Sequence, residues 1–327
     1  MRSFRHTGEK YDLVIGGAGL YGATLAHFAH KRGKRVLVIE NKEVGGMCAD
    51  PDNYARYGPH IFHTNDRALW EWVNKIDHFI PIHHSPLVCY KDELYSFPIN
   101  KLTLHQLGYD TRILEYKGDN FEQACIYAVG GTIYEKFFYH YTKKMWGREP
   151  RDLPISILSR IPARTDYNTS YYDDRYVGVP INGYTNFITK LLAGVEVREG
   201  DFLDYKEKGR KIFTGSVDAA FQFKLGELPY RGLKFESVDS IDAMVINYTD
   251  SRPWIRDTNY SYLGYRNITI RETPGEGRFY PCPWGADLYN EYRKLKTDIE
   301  FEGRLGSYRY MNMNDVITEA YLKSKTL

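Results

Sequence analysis

A glycine-rich turn between two short apolar runs constrains the fold of this 327-residue chain more than any other feature. The turn carries Gly17, Gly19 and Gly22, follows an apolar run at 13–15, and opens a helical pattern that leads to a second apolar run at 36–39 and then Glu40. We interpret this as the strand–turn–helix–strand unit that binds a dinucleotide. Gly17 permits a tight turn, Gly19 lets a pyrophosphate approach the backbone, and Gly22 lets the helix pack closely on the strand. The helix N-terminus offers free N–H groups to the phosphates, and Glu40 is placed to accept hydrogen bonds from ribose hydroxyls.

The composition excludes several classes of protein. The formal net charge is +2 with acidic and basic residues mixed along the chain, so no basic surface for nucleic acid is predicted. The sequence has no apolar run of membrane-spanning length and no secretory leader. Its four cysteines lack the spacing of metal ligands. We therefore predict a cytoplasmic protein that binds neither nucleic acid, nor a membrane, nor a metal.

The order of the patterns predicts an α/β fold of several domains (α+β multidomain) in which the dinucleotide domain is discontinuous. We assign residues 1–66, 185–215 and 297–327 to that domain. A helical insert is predicted for residues 101–160. An antiparallel-sheet substrate domain is predicted for residues 67–100, 161–184 and 216–296.

Several longer motifs extend the interpretation beyond the nucleotide turn. They include Tyr-Gly-Pro-His-Ile-Phe-His-Thr-Asn-Asp at 57–66, Tyr-Thr-Lys-Lys-Met-Trp-Gly at 141–147, Arg-Ile-Pro-Ala-Arg at 160–164 and Gly-Arg-Leu at 303–305. Together these motifs, spread over residues 11–325, resemble the UDP-galactopyranose mutases. The resemblance implies a Rossmann-like FAD-binding domain, a helical-bundle insert and a twisted antiparallel sheet.

The resemblance also implies an activity. Members of this family interconvert UDP-galactopyranose and UDP-galactofuranose, a step in galactofuranose biosynthesis, through a covalent bond between N5 of the reduced flavin and the sugar. The flavin acts as a nucleophile, so the protein supplies positioning and electrostatics. The implied partners are a nucleotide sugar, an external reductant and a second copy of the chain in a dimer, and FAD is the implied cofactor, active when reduced.

Two arginines and a histidine are the implied catalytic residues. Arg160 and Arg256 match family arginines that hold the diphosphate, a group that guanidinium forks bind well. Arg252 is the alternative to Arg256, because the local match is short. His60 matches the histidine beside the flavin.

The resemblance assigns the remaining site residues to substrate or cofactor. Aromatic side chains stack on the nucleobase or flank the diphosphate and sugar, and two polar residues lie near the sugar pocket; this substrate set is Phe137, Tyr141, Trp146, Tyr171, Tyr280, Tyr310, Asn247 and His84. The cofactor set is Gly17, Ala18, Gly19, Leu20, Tyr21, Glu40, Gly45, Gly46, His60, Ile61, Thr214, Arg304, Tyr310, Asn312 and Met313.

Three positions depart from the family pattern. Asn312 stands where the family usually has aspartate, and Met47 and His84 each stand where it usually has asparagine. The Asn312 change removes a negative charge near the flavin, so we expect an altered redox potential or substrate preference. The same ring contraction on another nucleotide sugar, such as UDP-N-acetylgalactosamine, stays open as an alternative.

Two further alternatives differ in class. A conventional flavin oxidoreductase shares the nucleotide domain but needs no diphosphate clamp, so Arg160 and Arg256 argue against it. A homologue that binds nucleotide sugar without turnover is the other alternative, and the changes at Met47 and Asn312 keep it open.

Overall fold

The computed structural model describes residues 11–109, 113–161, 164–206 and 209–327, and within these ranges the side chains of residues 159 and 160 are not described. Over the described ranges, the strands are β1 (Leu13–Gly16), β2 (Val36–Glu40), β3 (Phe62–Thr64), β4 (Phe79–Pro81), β5 (Leu87–Tyr90), β6 (Glu93–Ser96), β7 (Tyr176–Pro180), β8 (Glu196–Glu199), β9 (Arg210–Phe213), β10 (Tyr230–Val238), β11 (Val245–Tyr248), β12 (Arg256–Asn259), β13 (Thr269–Pro281) and β14 (Ile299–Phe301).

The helices are α1 (Leu20–Lys31), α2 (Arg67–Ile76), α3 (Lys101–Gln106), α4 (Phe121–Val129), α5 (Gly131–Tyr134), α6 (His140–Trp146), α7 (Gly183–Leu191), α8 (Val217–Ala220), α9 (Ala286–Tyr292), α10 (Gly303–Gly306) and α11 (Met313–Ser324). A π-helical segment, Glu135–Tyr139, joins α5 directly to α6. Within the described ranges, none of these helices is long and apolar enough to cross a membrane.

A five-stranded parallel sheet in the order β14-β9-β1-β2-β8 forms the nucleotide domain. Its central strands β1 and β2 are buried almost throughout, as expected for a parallel sheet covered on both faces. Helices α1, α7 and α11 contribute to one core with β1, through residues such as Leu25, Ile188 and Ile317. All five strands fall within the segments predicted for this domain, and the fold is the predicted mixed α/β type. The exact domain boundaries stay predictions.

A second sheet has six strands in the order β10-β13-β12-β11-β5-β6. Every neighbouring pair is antiparallel except β11 with β5. Strand β12 pairs with β13 so that Arg256 lies opposite Glu272 and Asp257 opposite Arg271. Because side chains alternate between faces along a strand, these two charged pairs lie on opposite faces of the sheet.

Helices α3 to α6 lie within the predicted helical insert, and a three-stranded sheet β3-β7-β4 is formed elsewhere in the chain. The helical core includes Phe121, Ile133 and Phe138, and it continues into the six-stranded sheet through Val88 and Tyr95. The helices that carry the predicted nucleobase contacts are therefore packed directly on the sheet that carries Arg256.

Asp50 fixes the start of α7 from a distant part of the chain. Its carboxylate accepts hydrogen bonds from the backbone N–H groups of Tyr184 (2.6 Å) and Thr185 (2.8 Å) and from the Tyr265 hydroxyl (2.9 Å). A carboxylate at a helix N-terminus satisfies free N–H groups and complements the helix dipole. Asp50 thus joins the segment after β2 to both α7 and the sheet domain.

Candidate functional site

A cavity of about 610 Å³ lies against the glycine turn, at the carboxyl ends of β1, β2 and β9. The turn contributes Gly17 and Gly19, β2 contributes Glu40, and Thr214 follows β9. Ligands of open parallel sheets bind outside the carboxyl ends of the strands, and this cavity lies there.

The three glycines of the turn are crowded to different extents. A methyl group on Gly17 would lie 2.2 Å from Thr214 Oγ1, and one on Gly22 would lie 2.0 Å from the Gly17 carbonyl oxygen. At Gly19 the nearest protein atom would be Gly46 Cα, at 3.8 Å. The packing of the protein itself therefore requires glycine at 17 and 22. Gly19 instead has room for a methyl group without overlap, and it lies on the cavity wall, where a pyrophosphate at the helix N-terminus would bind.

The carboxylate of Glu40 is held at the edge of the cavity by the backbone. Its Oε2 accepts a hydrogen bond from Ala18 N (2.7 Å) and its Oε1 from Lys42 N (2.9 Å). A carboxylate has about four lone-pair positions, so acceptor capacity is left for ribose hydroxyls. Gly17, Gly19 and Glu40 thus fit a dinucleotide.

His60 and Arg304 line another part of the same cavity wall. His60 Nδ1 lies 2.7 Å from the Gly58 carbonyl oxygen. A carbonyl oxygen only accepts hydrogen bonds, so Nδ1 is protonated and is the donor in this hydrogen bond. Burial lowers the pKa of His60 to about 4, and the charge of Arg304 adds to this effect. His60 is therefore neutral near pH 7, with Nε2 as its unprotonated nitrogen.

Arg304 connects the cavity to neighbouring aromatic residues. Its guanidinium carbon lies 5.4 Å from the ring of Tyr280 and 5.3 Å from the ring of Tyr310. One guanidinium nitrogen donates to the Phe279 carbonyl oxygen, whereas the buried Nε has no hydrogen-bond partner among the described residues. An unpaired buried donor at a cavity wall suits an anionic or hydrogen-bonding ligand.

The structure brings most of the predicted cofactor residues to this cavity. On its wall are Gly17, Gly19, Leu20, Tyr21, Glu40, Gly46, His60, Thr214, Arg304 and Met313. Five members of the set do not line this cavity: Ala18, Gly45, Ile61, Tyr310 and Asn312. Ala18 and Gly45 shape the turn by a backbone hydrogen bond of 3.0 Å, and Ile61 is 5% exposed within a separate apolar cluster. Asn312 is the N-cap residue of α11, and its backbone N–H donates to Asp315.

Arg256 on β12 lies near three tyrosines from different parts of the chain, and we call this group the Arg256 pocket. Tyr141, Tyr171 and Tyr280 are close enough to interact with it electrostatically. Its side chain is 22% exposed, and one guanidinium nitrogen lies 3.2 Å from Glu272 Oε2 in an ion pair. Tyr280 also lies within electrostatic range of Arg304. Tyr280 therefore connects Arg256 to Arg304, which lies on the wall of the larger cavity.

The two arginine alternatives have different surroundings. Arg252 is bound to Asp92 at 2.6 Å and to Asp250 at 3.2 Å. Two carboxylates thus neutralise Arg252, whereas Arg256 has one carboxylate and three tyrosines around it. This contrast favours Arg256 as the diphosphate ligand. The Arg160 prediction falls outside the described side chains, although its backbone closes a short 3₁₀ helix, Ile155–Arg160.

His84 is 8% exposed and lies among aromatic residues of the sheet domain. Its ring centre is 5.5 Å from the ring centres of both Tyr171 and Tyr172, and Nδ1 lies 3.3 Å from Met244 Sδ. Burial lowers the pKa of His84 to about 3, and the charge of Arg256 contributes to the shift. The structure thus brings His84 near Arg256 as a neutral imidazole.

The remaining predicted substrate residues separate into two groups, those on a cavity wall and those that are packed inside the protein. Trp146 and Tyr310 border a smaller cavity of about 240 Å³. Phe137 is 2% exposed, and its ring centre lies 5.4 Å from that of Tyr95, so the structure places it in the helical core and not on either cavity wall. Asn247 is 9% exposed and its amide nitrogen lies 3.3 Å from the Leu87 carbonyl oxygen, which leaves it little surface for a ligand.

Sequence reasoning missed Glu272 and Tyr172. Glu272 is the ion-pair partner of Arg256, and Tyr172 stacks on His63 with ring centres 4.2 Å apart. The register of β12 against β13 identifies Glu272, and no local sequence pattern provides that register. Tyr172 directly follows Tyr171 in the sequence, so it could have been included in the predicted substrate set. Over the described residues, no cluster of three or more metal-ligating side chains occurs.

Comparison with known proteins gives consistent results. A family profile described as UDP-galactopyranose mutase matches residues 136–310, and one described as NAD(P)-binding Rossmann-like domain matches residues 15–76. The chain is 31% identical to a dTDP-fucopyranose mutase of Escherichia coli, over 94% of this chain and 96% of that protein. It is 29% identical to a probable UDP-galactopyranose mutase of Klebsiella pneumoniae, over 94% and 92% of the two chains.

A crystal structure of reduced UDP-galactopyranose mutase superimposes with a TM-score of 0.74 at 14% identity, covering 97% of this chain and 93% of that one. At this identity the superposition establishes the shared fold. The profile covers more than half of the chain, and the Escherichia coli relative is similar over nearly its full length. The chain therefore belongs to the UDP-galactopyranose mutase family and is an isomerase of the mutase type.

Proposed function

We propose that the protein is a flavin-dependent mutase that interconverts the pyranose and furanose forms of a sugar carried on a nucleoside diphosphate. One observation supports this most: a partly exposed arginine in a tyrosine-lined pocket adjoins a dinucleotide cavity. Arg256 and the cavity residue Arg304 both lie close to Tyr280. A diphosphate at Arg256 would thus bring the attached sugar to the part of the cavity lined by His60 and Arg304.

We propose FAD as the dinucleotide. Gly17, Gly19 and Glu40 fit its pyrophosphate and adenosine ribose, and the unpaired Nε of Arg304 provides positive charge where a reduced flavin ring is anionic. A reduced flavin, when bound, supplies the nucleophile at N5 that displaces the diphosphate from the anomeric carbon. The residues of this chain hold that flavin, stabilise the departing diphosphate and exclude water.

Each side chain of the pocket has a defined task in this proposal. Arg256 offers charge-assisted hydrogen bonds to the diphosphate as the glycosidic bond breaks, when negative charge on the leaving oxygen increases. Tyr171 and Tyr280 supply hydroxyl donors and flat surfaces beside it. His60 is neutral because its pKa is lowered to about 4, so it adds no positive charge near the flavin.

Two nucleotide sugars are the candidate substrates that the similar proteins suggest. UDP-galactose is named in the family profile, and a dTDP-fucose mutase is named for the Escherichia coli relative. Both are nucleoside diphosphate sugars and need the same cation at Arg256. UDP-N-acetylgalactosamine is a third test substrate. The external reductant, the dimer and the cytoplasmic location are further predictions that accompany this function.

The test is product analysis under anaerobic conditions. Purified protein loaded with FAD is reduced with dithionite and incubated with UDP-galactofuranose, dTDP-fucopyranose or UDP-N-acetylgalactosamine, and the nucleotide sugars are separated by chromatography. We expect pyranose–furanose conversion of at least one of them, only with reduced flavin. Net oxidation of the sugar would support the oxidoreductase alternative. Binding without conversion would support the homologue that lacks turnover.

A further inference from the structure

Two charged pairs with opposite polarity join strands β12 and β13. In the first, Arg256 on β12 faces Glu272 on β13; in the second, Asp257 on β12 faces Arg271 on β13. Both carboxylates are buried, with side-chain exposures of 2% for Glu272 and 1% for Asp257, and both arginines are 22% exposed. The two pairs thus join the same two strands, each with a partly exposed arginine and a buried carboxylate.

The pairs differ in how fully their polar atoms are hydrogen-bonded. Arg271 binds both carboxylate oxygens of Asp257, at 2.8 and 2.7 Å, and the Tyr248 hydroxyl donates to Asp257 at 2.8 Å. In contrast, Arg256 Nε and both carboxylate oxygens of Glu272 are buried without hydrogen-bond partners among the described residues. The Arg256–Glu272 contact is an ion pair at 3.2 Å and not an aligned fork.

A fully bonded pair and an incompletely bonded pair have different consequences. Buried polar atoms without partners cost free energy, so their presence in a folded protein calls for an explanation. Burial raises the pKa of Glu272, and the charge of Arg256 offsets part of that rise. The Asp257–Arg271 pair is explained by structure alone, whereas Arg256 keeps an unpaired donor at Nε and has three tyrosines within electrostatic range.

We propose that Glu272 is a positioning residue for Arg256: its carboxylate fixes the guanidinium in the pocket and neutralises it until a diphosphate arrives. This inference rests on the proposed function. Glu272 is too enclosed to reach the diphosphate itself, so it acts through Arg256. It also lies against the segment that carries His60, since a methyl group on Gly58 would be 3.5 Å from Glu272 Oε1.

The proposal predicts opposite effects on binding and turnover when the charge of Glu272 is removed. In E272Q the positive charge of Arg256 has no buried counter-charge, so a diphosphate binds more tightly. The guanidinium is also no longer fixed, so the diphosphate is held in a less productive position and turnover falls. If Glu272 only maintained the shape of the Arg256 pocket, E272Q would weaken both quantities together.

The test compares E272Q with D257N, which removes the matched charge on the other face of the same strands. UDP and dTDP are titrated into FAD-loaded wild-type protein and both variants, and kcat is measured with the sugar nucleotide that the wild type converts. We expect E272Q to bind the diphosphate about 3- to 10-fold more tightly and to lose at least about 10-fold in kcat, with D257N within about 3-fold for both. Weaker or unchanged diphosphate binding in E272Q overturns the proposal.

A second variant covers failure of E272Q to fold. E272D keeps the charge but shortens the side chain by one methylene, so we expect wild-type diphosphate affinity and a reduced kcat. Wild-type kcat in E272D would overturn the proposal. An inactive wild-type protein would contradict the proposed function instead, and the diphosphate titrations would still decide the role of Glu272.

Discussion

Replacing Gly19 and Gly22 separately by alanine should divide the glycine turn into a binding part and a folding part. A methyl group on Gly19, on the wall of the 610 Å³ cavity, would make only an ordinary van der Waals contact with Gly46 Cα at 3.8 Å, whereas one on Gly22 would lie 2.0 Å from the Gly17 carbonyl oxygen. We therefore predict that G19A folds normally but binds FAD poorly, and that G22A is destabilised even without cofactor.

The expected magnitudes follow from the local geometry. Gly19 is the N-cap of α1 with φ of −75°, a conformation that alanine adopts without strain. The lower entropy of the unfolded chain gains about 0.4–1 kcal/mol, and loss of the favourable N-cap residue costs a similar amount, so the unfolding free energy should change by less than about 1 kcal/mol. At Gly22 the overlap forces a backbone shift, for which overpacking costs suggest about 3 kcal/mol or more.

G19A should weaken FAD binding strongly even though it changes the unfolding free energy little. The added methyl separates the pyrophosphate from the helix N-terminus and weakens charge-assisted hydrogen bonds worth about 1.5–3 kcal/mol each. At about 1.4 kcal/mol per tenfold, we expect FAD affinity to fall roughly 100-fold. The assays are thermal and urea unfolding of the apoprotein, followed by FAD titration monitored by flavin fluorescence.

Two results would refute this reasoning. One is G19A that binds FAD as tightly as the wild type, because the space beside Gly19 would then not hold the pyrophosphate. The other is G19A apoprotein that loses as much stability as G22A, because the methyl at 19 would then overlap with protein atoms.

Four other substitutions give three further tests. R256M should lower kcat by about 10²–10³, because it removes a charge-assisted diphosphate contact. R252M should change kcat less than about 3-fold, because two aspartates neutralise Arg252 in the wild type, and equal losses in the two variants would contradict the assignment of Arg256. H84N should lose less stability in acid than the wild type, because the pKa of His84 is about 3 in the folded protein and about 6.5 in the unfolded chain, so the unfolded chain is protonated first as the pH falls. Between pH ~6.5 and ~4 the unfolding free energy of the wild type should therefore drop by roughly 3 kcal/mol more than that of H84N, and equal drops in urea unfolding of the two proteins would refute this. D50A should lower the unfolding free energy by about 3–5 kcal/mol, because two N–H groups of α7 and the Tyr265 hydroxyl lose their hydrogen-bond acceptor. A decrease below about 1 kcal/mol would contradict this and would show that water replaces the carboxylate.

Local patterns predicted much of the fold. The first strand–turn–helix–strand unit follows from apolar periodicity and turn residues, and helices α3 to α6 lie within the predicted helical insert at 101–160. The sequence predicted an antiparallel sheet in 216–296 but not the length of β13, because Pro274, Gly275 and Gly277 interrupt its pattern and are tolerated next to a bulge opposite Gly232.

The site was less accessible to sequence reasoning than the fold. The π-helical segment Glu135–Tyr139 changes the rotation per residue ahead of α6, so Phe137 packs in the core while Tyr141 faces Arg256. The parallel pairing of β11 with β5 and the facing of Arg256 by Glu272 depend on long-range register. Residue type and spacing within one segment do not contain that information.

The proposed use of a reduced flavin as nucleophile is tested most directly by measuring turnover while the flavin redox state is varied. FAD-loaded protein is poised at a series of potentials under anaerobic conditions, and the initial rate of pyranose–furanose conversion is compared with the reduced fraction read from the flavin absorbance. The account predicts that the rate is proportional to the reduced fraction and that no reductant is consumed per turnover. A rate that is independent of the flavin redox state, or reductant consumed in proportion to product, would contradict it.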